Sequence, residues 1–171
     1  MANTFKPLEG YTLTIKTLKH AAGILPICLT TGRILLCKRG PKLETEPNKW
    51  ANLGGKCNIG ESPYETAIRE FYEEGGCIMP VKLLQSFIDV KPDGFKYYNF
   101  IGLVQEEFKP KVNKLTVDFE VEISDYKWLT VDEFFNFDKS KLHWGVDQLR
   151  IKAKQQILDL FKDQKNFSHN A

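Results

Sequence analysis

The sequence has little that would direct it to a membrane, a zinc ion or a nucleic acid. No apolar run approaches the ~20 residues that cross a bilayer, and the opening MANTFKPLEG lacks the apolar core of a secretion signal. The 4 cysteines form no CxxC pair and have no histidine at ligand spacing. The 24 basic and 22 acidic residues are spread along the chain without a basic block. We therefore expect a cytoplasmic protein with reduced thiols and a small-molecule ligand, without a membrane or stable nucleic-acid partner.

The chain does have enough apolar material for one globular domain, which we predict to span 1–171. Hydrophobic alternation predicts a strand over 11–18, a hairpin over 22–37, a short strand at WANL, and strands over 81–90, 97–105 and 126–130. Helical signals predict a helix over 63–75, a short helix after Thr130 and a final helix through Leu149 and Leu160, with a frayed tail from about 163. This order indicates an α/β fold with a mixed sheet between helices.

The helix over 63–75 has clear boundary signals. Ser62 is a good N-cap, Pro63 suits the first helical position, and Glu65 completes a capping box. The pair Gly75-Gly76 ends the helix. Helical spacing places one apolar set on a core-facing side: Tyr64, Ala67, Ile68 and Phe71.

Three acids crowd the end of this helix. Glu70, Glu73 and Glu74 stand at i, i+3 and i+4 and form one predicted patch, beside the single cation of Arg69. Two such charges about 6 Å apart repel by roughly 3 kcal/mol at an effective dielectric of about 20, and the helix dipole also disfavours acids here. A hard divalent cation reverses this argument, because it binds clustered carboxylates. The alternative interpretation is a solvated acidic face.

The surrounding residues complete a known pattern: Gly, five residues, Glu, seven residues, Arg-Glu, an apolar residue, any residue, Glu-Glu, any residue, Gly and an apolar residue. Its fixed positions are filled by Gly55, Glu61, Arg69, Glu70, Phe71, Glu73, Glu74, Gly76 and Cys77. The sequence therefore resembles the Nudix hydrolases. Leu53 replaces the usual proline before the glycine pair, and Cys77 is a modest apolar residue at the last position.

The resemblance implies an α/β/α sandwich with a mixed central sheet. It also implies attack of water on a phosphoanhydride of a nucleoside diphosphate derivative, with Mg²⁺, or Mn²⁺ in its place, as the cofactor. The metal ligands that it implies are Gly54 (through its carbonyl), Glu70, Glu73, Glu74 and Glu122. Glu70 would also help to activate water, Arg69 would orient a carboxylate, and Glu61 would support the loop or bind metal through water. Glu122 stands six residues before Trp128 as the expected loop acid; Glu120 is the substitute, and both are otherwise solvated loop charges.

The substrate signals are weaker. The stretches KWANLGGK and KLHWGVDQL resemble the branch that hydrolyses purine nucleoside triphosphates, including oxidised ones, so Trp144 and Asp147 would contact the base. Trp144 is equally an anchor for the last helix. The other predicted substrate-binding residues are Lys38, Arg39, Gly55, Lys56 and Tyr98. Only one of Tyr97 and Tyr98 can face the pocket from a strand.

Two further functions and one assembly stay open at this stage. ADP-ribose or another nucleotide sugar is the alternative substrate, with Pro92 as a weak signal that a Lys-Pro-Asp-Gly turn also explains. A nucleotide-sensing or RNA-binding module without activity is the alternative of another class. A homodimer is possible, although no residue decides it.

Overall fold

The computed structural model describes residues 20–76, 80–116 and 120–169, with side chains as far as Lys162. The predicted strand over 11–18 and the motif residue Cys77 lie outside these ranges. Within these ranges, seven strands form one sheet: β1 (His20–Cys28), β2 (Arg33–Arg39), β3 (Trp50–Ala51), β4 (Leu53–Lys56), β5 (Lys82–Val90), β6 (Lys96–Val104) and β7 (Ile123–Thr130). The helices are α1 (Pro63–Gly75), α2 (Val131–Phe135), α3 (Trp144–Lys152) and α4 (Lys154–His169), with a 3₁₀ turn at Lys139–Lys141.

The sheet is mixed, as predicted. The central pair, β1 and β6, is parallel over nine residues, whereas the other pairs are antiparallel. Two apolar clusters cover its faces. One contains Ala67 and Phe71 of α1, and the other contains Leu149 of α3 and Ile157 of α4. Helices therefore pack on both faces, which is the predicted α/β/α sandwich.

The predicted hairpin is present, but its two strands separate soon after the turn. β1 and β2 pair only at Ile27–Ile34 and Cys28–Arg33. Further along, β4 takes the place beside β1 and β3 takes the place beside β2. The continuous segment 50–56 thus fills the fork in the sheet, and this places Gly54 and Gly55 beside Gly23 and Ala22 of β1.

Helix α1 has the predicted boundaries. Ser62 accepts a hydrogen bond from the Glu65 N–H, the Glu65 carboxylate accepts one from the Ser62 N–H, and Gly76 ends the helix in the left-handed region at φ 60°. The predicted core face is partly wrong, because Tyr64 is 56% exposed whereas Ala67 and Phe71 are fully buried. Tyr64 instead lies edge-on to the Phe100 ring at 6.2 Å.

The predicted final helix is two helices. The break falls at Ala153, between α3 and α4, and Ala153 itself is fully buried. The predicted fraying of the tail from about 163 stays a prediction. Within the described residues, no helix combines the length and apolar character needed to span a membrane.

Candidate active site

The glycine pair of β4 fits closely against α1. A Cβ on Gly55 would lie 2.3 Å from Glu70 Oε1, and a Cβ on Gly54 would lie 2.5 Å from the Ala22 carbonyl oxygen. The Gly54 N–H donates to Glu74 Oε2 at 3.2 Å. The absence of a side chain at 55 therefore lets the Glu70 carboxylate approach the strand backbone, and its absence at 54 lets β4 lie close to β1.

Arg69 organises the acids by distributing its donors. Its Nε and one terminal nitrogen donate to both Glu61 oxygens at 2.8 and 2.9 Å, and the other terminal nitrogen donates to Glu70 at 2.9 Å and Glu73 at 3.1 Å. Glu61 also accepts from the Thr66 hydroxyl at 2.6 Å. The Arg69 hydrogen bonds, assisted by those of Thr66 and Asn58, lower the pKa of Glu61 to about 2 against the opposing effect of burial. Glu61 is therefore a fixed anion that braces the loop before α1.

The spacing predicted that the three helix acids form one patch, but the structure turns their side chains in different directions. The Glu73 side chain is 61% exposed and pairs with Arg69, whereas that of Glu70 is 12% exposed and turns toward β4. Glu74 is half-buried on the same side of α1. Helical spacing alone missed this because 100° per residue places Glu74 at the flank of the buried stripe that contains Phe71.

Burial and mutual repulsion dominate the electrostatics of this pair. Burial raises the pKa of Glu74 well above its usual range, and the charges of Glu70 and Glu122 raise it further, against the Gly54 hydrogen bond and Arg39. Burial also raises the pKa of Glu70, which Arg69 opposes and Glu73 and Glu122 reinforce. Glu122 thus lies close enough to act on both acids. The Glu120 N–H donates to Thr116 Oγ1.

Three converging acids that repel one another suit a hard cation, which would remove the repulsion. Among the residues described here, no group of three or more metal-binding side chains is already gathered closely enough to hold an ion. The donor set is thus chemically suited to a divalent metal, but it is not drawn together as a finished site.

A cavity of about 570 Å³ opens beside the glycine pair. Its lining includes Gly54, Gly55, Lys56 and Arg39, together with aromatic and charged side chains: Tyr97, His143, Trp144, Lys91, Phe95 and Glu46. A volume of this size suits a small organic ligand. Of the predicted substrate-binding residues, the structure brings together Arg39, Gly55, Lys56 and Trp144.

Three predicted substrate contacts lie elsewhere. Asp147 is buried and accepts from Arg150 at 2.9 Å, so its carboxylate is used within α3. Tyr98 faces the α1 cluster, and its neighbour Tyr97 faces the cavity, since consecutive strand residues point to opposite faces. Lys38 precedes Arg39 on β2, so the two side chains point to opposite faces of the sheet, and only Arg39 lines the cavity.

Several cavity residues had no usable signal in the sequence. Glu46 lies in a loop rich in Pro, Lys and Glu. Lys91 and Phe95 lie in a turn region, and the turn alone accounts for the residue types there without a ligand. Asn52 is buried, accepts from the Tyr97 hydroxyl at 2.7 Å and donates to Asn99 at 2.6 Å. His143 stands next to Trp144, and this adjacency was the only available hint.

Comparison with known proteins agrees with this geometry. The NUDIX domain family model matches residues 17–149, which is most of the chain. A Nudix hydrolase from M. smegmatis, RenU, is 19% identical with a TM-score of 0.63, covering 83% of this chain and 87% of that one. A MutT Nudix hydrolase from Burkholderia pseudomallei is 22% identical with a TM-score of 0.54, covering 75% and 92%. A bifunctional NMN adenylyltransferase/ADP ribose pyrophosphatase from Francisella tularensis is 15% identical with a TM-score of 0.59, covering 91% of this chain and 47% of that one.

At these identities the solved structures support the fold, and the family match includes the acids of α1 and every residue that lines the cavity. Members of this family generally need a divalent metal and act on small nucleotide derivatives. The chain belongs to the Nudix hydrolase family and is an enzyme.

Proposed function

We propose that the enzyme is a pyrophosphohydrolase that cleaves (deoxy)nucleoside triphosphates to a monophosphate and pyrophosphate, with purine or oxidised purine nucleotides as the preferred substrates. The observation that carries this proposal is the presence of two unlike kinds of lining in one cavity. The glycine pair, with the acids behind it, shares the cavity with the aromatic rings of Trp144 and Tyr97. A nucleotide combines the matching groups, an anionic phosphate chain and a flat aromatic base.

Mg²⁺, with Mn²⁺ as a substitute, would be held by Glu70, Glu74, Glu122 and the Gly54 carbonyl. When bound, such an ion neutralises phosphate charge and lowers the pKa of water. Glu73 is the least suited of the predicted ligands, because its side chain is exposed and paired with Arg69.

The chain's own residues then position and activate the reactants. Glu70, whose carboxylate turns toward the glycine pair, would accept a proton from the attacking water. Arg69 restrains the Glu70 carboxylate through a 2.9 Å hydrogen bond. Arg39 and Lys56, which line the cavity together with the glycine pair, supply positive charge for the phosphates. Water adds to one of the two phosphorus atoms joined by the α–β bridging oxygen, the bond from that phosphorus to the bridging oxygen breaks, and the proton of water passes to the Glu70 carboxylate. Monophosphate and pyrophosphate then separate.

A nucleotide panel with Mg²⁺ tests the substrate. Pyrophosphate plus monophosphate from dGTP or its oxidised form supports the proposal, whereas exclusive formation of AMP and ribose phosphate from ADP-ribose would replace it with the alternative activity. Chelation should abolish turnover, and added Mg²⁺ should restore it. A cytoplasmic location and a possible homodimer stay predictions.

A Glu74→Gln variant separates an enzyme from a nucleotide-sensing module. We expect turnover to fall by about 10²-fold or more, because a buried acid next to Gly54 is lost. Glu106→Gln is the matched control, because Glu106 is exposed. Full turnover in Glu74→Gln would contradict the assigned role of this residue.

A further inference from the structure

The loop over residues 40–49 forms part of the cavity wall, through Thr45 and Glu46. Glu46 has φ 46°, in the left-handed region that a residue with a long side chain rarely adopts. Such a conformation persists when surrounding contacts hold it, and it often marks a residue with a specific task. The contacts of the Glu46 side chain show what this task is.

Both oxygens of Glu46 bind the beginning of α3. Oε2 lies 2.9 Å from His143 Nε2, and Oε1 accepts the Trp144 N–H at 3.1 Å. His143 Nδ1 accepts the Gly145 N–H at 3.0 Å, so the proton of a neutral His143 is on Nε2 and points to Glu46. Burial would raise the pKa of Glu46, but the His143 and Trp144 hydrogen bonds and nearby positive charge lower it overall. Glu46 is thus an anion committed to the start of α3.

This arrangement sets the place of the Trp144 ring. Lys91 Nζ lies 4.6 Å from the ring centroid, and the Tyr97 ring meets it nearly edge-on at 6.0 Å. Glu46 holds the backbone N–H of Trp144 from the side of the loop. The position of this ring in the cavity therefore depends on the 40–49 loop as well as on α3.

The first turn of α3 is also attached to the sheet without Glu46. The His143 N–H donates to the Trp50 carbonyl at 2.8 Å, and Trp50 and Leu142 form a parallel bridge. Next to Glu46 in the loop, the Thr45 carbonyl accepts a hydrogen bond from Arg39 at 2.9 Å. Loss of the Glu46 carboxylate should therefore leave the fold intact and loosen mainly Trp144.

We propose that Glu46 is a specificity-determining positioning residue, which holds Trp144 so that its ring stacks on the nucleobase. This inference rests on the proposed nucleotide substrate. Base binding depends on Glu46, whereas the chemical step at Glu70 and Glu74 does not. A nucleotide with a large base gains most from a fixed aromatic ring, so the preference for purine over pyrimidine also depends on Glu46.

Glu46→Gln is the test variant, because an amide keeps the shape but presents a donor to one of the two donors that Glu46 binds. Glu44→Gln is the matched control in the same loop, because Glu44 is exposed. The probes are GMP, AMP, CMP and UMP without metal, followed by quenching of tryptophan fluorescence. Trp144→Leu identifies the responding ring among the 3 tryptophans.

We expect Glu46→Gln to bind GMP and AMP about tenfold more weakly, which corresponds to one charge-assisted hydrogen bond. KM for the triphosphate should rise by the same factor with kcat within about twofold, and the purine preference should fall. Glu44→Gln should match the wild type. In the Trp144→Leu background, Glu46→Gln should have little further effect on binding.

Equal monophosphate affinities in wild type and Glu46→Gln would overturn the inference, as would a loss of kcat with unchanged KM. Failure of the wild type to bind any monophosphate would also overturn it. Binding that depends on Glu46 in a protein that hydrolyses no nucleotide would support the inference and refute the proposed function. Hydrolysis that is indifferent to Glu46 would do the reverse.

Discussion

Alanine at position 55 would test the close fit between β4 and α1. Its Cβ would lie 2.3 Å from Glu70 Oε1, where ordinary van der Waals contact begins at 3.4 Å. The carboxylate must therefore withdraw by about 1 Å. Glu70 reaches this position with the end of a flexible side chain, so the fold can absorb the movement. The site cannot, because a displacement of about 1 Å in a reacting group can lower the rate by about 10²-fold.

Gly54→Ala is the matched change, with the opposite expectation for stability. Its Cβ would meet the Ala22 carbonyl oxygen at 2.5 Å and the Gly23 Cα at 2.7 Å, and both belong to the backbone of the central strand. Overpacking against backbone should lower the free energy of unfolding by about 1–3 kcal/mol. Gly55→Ala should keep the melting temperature of the wild type or exceed it slightly, because alanine restricts the unfolded chain.

The assay is kcat for the preferred nucleotide at saturating Mg²⁺, together with thermal unfolding of each metal-free variant. Low kcat with an unchanged melting temperature is expected for Gly55→Ala. A wild-type kcat in this variant would show that the position of Glu70 does not matter to turnover. A melting temperature as low as that of Gly54→Ala would show that the fold, rather than the acid, responds.

Three other residues test the contacts that support the site and the elements around it. Glu61→Gln should lower the free energy of unfolding by about 1–2 kcal/mol at neutral pH. Because the folded-state pKa of Glu61 is lowered to about 2, this difference between wild type and variant should be complete above the ordinary pKa of 4.5 and should shrink as the pH falls toward 2. Denaturant titrations at several pH values would measure it. Asp147→Ala should lower the melting temperature, because it removes the Arg150 partner, with no change in KM; a raised KM would restore its predicted contact with the base. Tyr97→Phe should lower the free energy of unfolding, measured in urea, by about 1–3 kcal/mol, because it leaves a buried oxygen of Asn52 without its donor. Tyr98→Phe is the control and should leave the free energy of unfolding nearly unchanged.

Local signals predicted the helix that carries the acids. The boundaries of α1 follow from Ser62, Glu65 and Gly76, whose effects depend on the backbone within one turn. The fixed spacing of the acids then identified the family. Spacing did not predict that Glu73 faces water while Glu70 and Glu74 turn inward, because that choice depends on where β4 lies.

The sequence did not predict how the aromatic lining of the cavity is assembled, because contacts between distant parts of the chain form it. Glu46 and Trp144 are 98 positions apart, and no local pattern couples a loop glutamate to a helix start. Asp147 was predicted to bind the base, but Arg150 stands three residues further along the same helix. A search for opposite charges at i, i+3 would have found this pair.

The fork in the sheet allows the loop over 40–49 to change during the divergence of such enzymes while the glycine pair keeps its place. Segment 50–56 is fixed to β2 through Trp50 and Ala51 and to β1 through 53–56, so its place does not depend on the length of the loop before it. Insertions or exchanges within 40–49 would therefore alter what the cavity selects while the glycine pair stays in register. Exchange of the loop over 40–49 is accordingly a practical route to new substrate preference in an unchanged hydrolytic scaffold.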